Sequence, residues 1–262
     1  MVDGFNLGRL FGIKFRLHFS WFIIFILVTF VLVYPEYSRW SYWVIGVITS
    51  LLFFASVVAH ELAHSLVGRA NNIPISSITL FIFGGVAQMT REAPRPGAEL
   101  KMAAAGPACS LVIGGFWGLL WLLVPDITEP VATMVLWLAI MNVMLAAFNL
   151  IPGFPLDGGR VFRSLLWHFT GSYSRSTRIA ARVGQGIGYL FILGGISIIF
   201  WRPFGLSWFD GIWLAVIGWF LGSAASASYH QLRWQEALHE FTLAETKPID
   251  YHPVVPPDTT AH

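Results

Sequence analysis

Three runs of this chain, "WFIIFILVTFVLVY", "SYWVIGVITSLLFFASVVA" and "MVLWLAIMNVMLAAFNL", contain no charged side chain. A helix needs about 17–25 apolar residues to cross a hydrocarbon core of about 30 Å. Six segments reach or approach that length: 17–34, 42–68, 98–124, 131–149, 178–200 and 209–230. With 56% hydrophobic and 11% charged residues, the 262-residue chain lies outside the range of soluble domains. The expectation is an all-α polytopic membrane protein, with a six-helix core over 1–230 embedded in a lipid bilayer and a cytoplasmic tail over 231–262. A net charge of +2 without a long Lys/Arg run argues against a nucleic-acid partner. A single cysteine, Cys109, excludes an intrachain disulfide framework.

Placing the N-terminus in the cytoplasm puts all Lys and Arg residues except Arg39 and Arg202 on the inner side, so both termini are expected to be cytoplasmic. The opening "MVDGFNLGRLFGIKFRLHFSW" has basic residues before an apolar run but no small-residue cleavage site, and reads as a retained first span. Between spans two and three, "NIPISSITLFIFGGVAQM" is too short to cross. Its β-branched and aromatic residues, with Gly84-Gly85 as a turn signal, predict a hairpin at the membrane interface or in a protein-lined cavity, against the alternative of an ordinary loop.

The second span ends in "SVVAHELAHSLVG". One helical turn separates His60 from His64, so both imidazoles reach the same point, and Glu61 follows close enough to address a water there. Each ionisable group at mid-membrane costs on the order of 2.5–3.5 kcal/mol, so three within five positions call for an internal partner, which a metal ion supplies. A hydrolytic zinc site usually takes three protein ligands and leaves one position to water. Asp157, in "NLIPGFPLDGGR", is the best third ligand; capping a helix that begins near Gly159 is its alternative role. Asn149 either hydrogen-bonds substrate or caps freed carbonyls at the end of span four. Small residues in "AAAGPACS" read as a site of close helix approach.

Taken in order, "HELAH" on the second span, "LFIFGGVAQM" after it, "AAAGPACS" on the third and "FNLIPGFPLDGGR" closing the fourth resemble the site-2 protease family of intramembrane zinc metalloproteases. The resemblance covers roughly 10–230. It implies Zn2+ held by His60, His64 and Asp157, Glu61 as catalytic acid/base, and Asn149 as a substrate contact. It also suggests a prokaryotic plasma membrane, and the tail, "HPVVPPDTT" in particular, resembles the lead into a CBS domain. The expected partner is a transmembrane protein whose helix unwinds and pairs with the hairpin edge at Ile82, Phe83 and Gly84; a homodimer is compatible with this. A metal transporter would also place His and Asp in its spans, but has no use for Glu61.

Overall fold

The computed structural model describes residues 4–34, 39–82, 84–89, 91–124 and 128–245. The order of elements is β1 (Gly4–Leu10), β2 (Ile13–His18), α1 (Ser20–Val33), α2 (Trp40–Ala70), β3 (Ile75–Phe81) and β4 (Gly84–Met89). Five helices follow: α3 (Pro96–Leu123), α4 (Glu129–Asn149), α5 (Asp157–Thr170), α6 (Tyr173–Trp201) and α7 (Trp208–Glu245). Among the described residues, five helical segments are long and apolar enough to cross a membrane: α2, α3, Pro130–Asn149, α6 and Trp208–Trp234. The first expected span falls short. Its leading residues belong to β2 and a turn, leaving a 14-residue helix, which at 1.5 Å per residue is about 21 Å long. Helix α7 continues unbroken past residue 231 to Glu245, so no change of local structure marks the expected tail boundary there. Residues 246–262, which carry the CBS-like stretch, lie outside the described residues.

The chain is not all helix. Four strands form one sheet in the order β1-β2-β3-β4, with antiparallel outer pairs and a parallel central pair. Strand β2 alternates: Ile13, Phe15 and Leu17 are buried with Ile78 and Leu80 against Trp21, Val58 and Leu62, whereas Lys14 is exposed. The sheet is thereby fixed along the C-terminal half of α2. The expected hairpin over 73–90 is present, but its turn falls before the glycines. Gly84 already belongs to β4, with φ +118°, and Ile82 occupies the turn; Phe83 lies outside the described residues.

Helices α6 and α7 pack backbone to backbone. A methyl group on Gly188 would meet the Gly218 carbonyl at 2.7 Å and the Gly222 nitrogen at 2.8 Å; Gly195 and Gly211 make a matching approach further along. Small residues at such spacing replace hydrophobic burial as the means of helix association in lipid. Gly186, on the same helix, faces open space. Gly188→Ala is therefore expected to destabilise the detergent-solubilised protein by about 1–3 kcal/mol. Gly186→Ala should be neutral or slightly stabilising, because only the helix propensity changes; thermal unfolding of the two variants checks this.

Candidate metal centre

Helix α2 reaches the site with His60 and His64 buried side by side, their ring centroids 4.8 Å apart. Between α4 and α5 the chain turns through Pro152, Gly153 and Pro155, then enters α5 with Asp157 in its first turn. The pair Gly158-Gly159 permits this entry. A methyl on Gly158 would overlap the Leu150 carbonyl, and one on Gly159 would lie 2.5 Å from the Phe154 nitrogen. The sequence "LDGGR" thus folds tightly under the end of α4 and turns the carboxylate toward α2.

His60 Nε2, His64 Nε2 and Asp157 Oδ2 converge. The two nitrogens are 3.2 Å apart, and the carboxylate oxygen is 3.2 Å from His60 and 3.0 Å from His64. Ligands held tetrahedrally at zinc bond lengths of 2.0–2.1 Å lie about 3.3 Å from one another, so the triangle has the dimensions of one face of such a site. The hydrogen-bond chemistry agrees. His64 Nδ1 donates to the Met102 carbonyl at 2.7 Å, which leaves a lone pair on Nε2 of the neutral ring, aimed at a carboxylate oxygen. His60 Nδ1 is held by Ser110 Oγ at 2.9 Å. Lone pairs that meet in this way repel unless a proton or cation lies among them, and these three side chains could hold a metal ion.

Helix α3 supplies what surrounds the rings. A methyl on Gly106 would overlap His64 Nε2 and lie 2.7 Å from His60 Nε2, so the small residue in "AAAGPACS" makes room for imidazoles as well as for a helix. Ser110 and Met102, on the same helix, orient the rings. Glu99 on α3 forms a buried ion pair with Arg163 of α5, with Nε at 3.0 Å from Oε1. Arg163 also donates to the Tyr173 hydroxyl at 2.7 Å and lies over the Phe154 ring. Neither charge looked buried from its sequence neighbours, because the partner is 64 residues away.

A cavity of about 1030 Å³ opens beside the triangle, lined by His60, Glu61, His64, Asn149 and Asp157, by Gly84, Gly85, Ala87 and Met89 on one side and by α7 on another. The Glu61 carboxylate hydrogen-bonds the Gly85 backbone, and a methyl on Gly85 would lie 2.7 Å from Glu61 Cδ. Asn149 Nδ2 donates to the Leu145 carbonyl at 3.0 Å, and the residue lines the cavity. Ile82 is not brought to the cavity; its N–H is bound by Ser20 Oγ at 3.1 Å, so it has no donor for a substrate strand. Strand β4 pairs with β3 on one side, and its other edge faces this space.

The family model for peptidase family M50 matches residues 48–126 and 124–193. A Synechocystis sp. protein provisionally named zinc metalloprotease sll0528 is 42% identical over 98% of this chain and 67% of its own length. A Mycobacterium tuberculosis protein provisionally named zinc metalloprotease Rip3 is 35% identical over 96% of this chain and 65% of its own length, so the chain spans about two thirds of these relatives. The solved structure of a site-2 protease from Methanocaldococcus jannaschii superposes with a TM-score of 0.61 at 31% identity, covering 87% of this chain and 95% of that one.

The outer partners of the rings generate a test that needs no catalytic assay. Ser110→Ala is expected to weaken metal binding about 10–100-fold, as loss of an outer hydrogen bond to a ligand does. Gly106→Ala, which intrudes on both rings, should prevent stoichiometric binding. Metal content after dialysis against graded chelator measures both.

Proposed function

Because this chain belongs to peptidase family M50, we propose that it is an intramembrane zinc endopeptidase that cuts a peptide bond within or near a transmembrane segment of another protein. The observation that carries this reading is the triangle of His60, His64 and Asp157 donor atoms opening onto the same cavity as Glu61 and the free edge of β4. In the proposal these three residues hold zinc, which when bound lowers the pKa of a coordinated water toward about 7 and polarises a carbonyl. Glu61 takes the proton from the attacking water and delivers it to the leaving amine. The hydrogen bond to the Gly85 backbone fixes its carboxylate for that exchange. Asn149 gives one of its two amide N–H donors to Leu145 and keeps its side-chain oxygen as an acceptor for a substrate N–H.

A substrate helix must unwind before its carbonyl can be attacked, and each backbone group left unpaired in lipid costs several kcal/mol. Strand β4 offers replacements by β-augmentation. Gly85 directs its backbone to Glu61 and away from β3, and the residue two further on, Ala87, shares that direction. The substrate-pairing role expected of Ile82, Phe83 and Gly84 therefore moves along the hairpin to the β4 edge, with Gly84 at its start.

The wider assignment is part of the same proposal: both termini cytoplasmic in a prokaryotic plasma membrane, α1 completing six crossings, a tail leading into a CBS domain, and a second copy of the chain as a compatible partner. A transporter reading lacks a use for Glu61 held against Gly85.

Two outcomes follow for the reconstituted protein assayed against a panel of single-span membrane proteins. Glu61→Gln should retain zinc and lose cleavage by about 10²–10⁴-fold, the usual scale of general acid–base catalysis; cleavage at the normal rate would remove Glu61 from the chemistry. Ala87→Pro, which deletes one N–H on an edge where proline is tolerated, should keep zinc and lower cleavage by about tenfold or more, whereas Ala87→Ser should not.

A further inference from the structure

Three arginines line the cavity: Arg91, Arg160 and Arg163. Arg163 is committed to Glu99 and Tyr173, and Arg91 is exposed. Arg160 is different. It stands one turn beyond Asp157 on α5, partly buried and opening onto the cavity. Among the described residues its hydrogen bond is to Met89 Sδ at 3.6 Å, and no carboxylate lies within ion-pair distance. A thioether is a weak acceptor, whereas a guanidinium offers five donors in a planar fork. A desolvated cation is costly; Glu99 and Asp157 attract it from beyond ion-pair distance while its neighbour Arg163 repels it, so no carboxylate pairs with its fork directly.

Its place along the hairpin gives the fork a use. Met89 is the last residue of β4, and Gly85, against Glu61, is near the first. They lie four positions apart along the strand, about 13 Å. A substrate strand laid on that edge with its scissile bond beside Glu61 would bring a residue about four positions away to Arg160.

We propose that Arg160 is a specificity-determining residue that grips the carboxylate of a substrate Asp or Glu about four residues from the scissile bond. This rests on the protease reading above. The fork favours a carboxylate, which accepts two parallel N–H bonds, over a neutral amide. The competing role is structural: Arg160 would swing to Glu99 Oε2, which is buried and without a partner among the described residues.

The test uses the full chain in lipid nanodiscs. Wild-type cleavage of a single-span protein, mapped by mass spectrometry, first locates the scissile bond; if no protein on the panel is cut, the protease reading fails and takes this inference with it. With that bond known, binding of transmembrane peptides carrying Glu or Gln at successive positions is measured in the Glu61→Gln background. The expected result is one position, about four residues from the bond, at which Glu binds about tenfold or more tighter than Gln. Arg160→Gln should erase that preference, Arg160→Lys should retain part of it, and Arg160→Glu should reverse it in favour of a Lys-bearing peptide. A preference profile unchanged by Arg160→Gln overturns the proposal while leaving proteolysis intact. So does a uniform loss of binding with lowered thermal stability and no rescue by the charge swap, which is the signature of the Glu99 role.

Discussion

Two imidazole nitrogens and a carboxylate oxygen meet within 3.2 Å inside a bundle of apolar helices. Such a cluster is stable only with positive charge among its lone pairs, and the surrounding structure makes the convergence hard to escape. Ser110 and the Met102 carbonyl hold the outer nitrogens, so neither ring turns away without leaving a buried polar group unpaired. Gly106 lets the rings lie against α3, and Gly158-Gly159 lets α5 begin directly under α4. Asp157, in the first turn of α5, also sits at the positive end of that helix, where a carboxylate is favoured. Three glycines, one on α3 and two at the start of α5, thus serve one requirement, which is room for the donors to approach.

Water and an unwound peptide must both reach that point, although neither is at home in lipid. The sheet reconciles the two demands. Its buried side, with Ile13, Phe15, Leu17, Ile78 and Leu80, packs against α2, so that the β4 edge faces protein-lined space. An open strand edge is excluded from hydrocarbon but tolerated where it lines a cavity. Gly85 ties the edge to the acid/base candidate: the position that lacks a side chain is where the Glu61 carboxylate comes closest to the strand.

Features governed by local periodicity were legible in the sequence. The one-turn spacing of His60 and His64, the hairpin after α2 and the breakers around Asp157 all appear where the residues put them. Features set by distant partners were not. The alternation "IKFRLH" in β2 is a strand pattern, but basic residues ahead of an apolar run look the same as the flank of a first span, and the partner that settles the matter is β3, some 60 residues on. Arg163 looked like an ordinary inner-side charge until Glu99 was found against it, and Ser110 looked like a packing residue until His60 was. The hairpin turn lies two residues ahead of Gly84-Gly85, the strong turn signal in the sequence, because here the glycines serve φ and clearance within the strand.

The buried pair Glu99–Arg163 bears on the same centre from the opposite side. A buried ion pair is poor evidence of net stability, because desolvating two charges offsets much of their attraction. Removing one partner is costly all the same, and this asymmetry fixes α5 on α3, the helix that carries Gly106 and Ser110. Asp157 is therefore held to α3 through α5 at one end and faces the α2 imidazoles at the other. A cation bound among the three donors closes a loop α2–α5–α3 whose remaining links are hydrogen bonds and the ion pair. Free energy of metal binding at such a site contributes to docking the two halves of the chain, so metal affinity and stability become one coupled quantity.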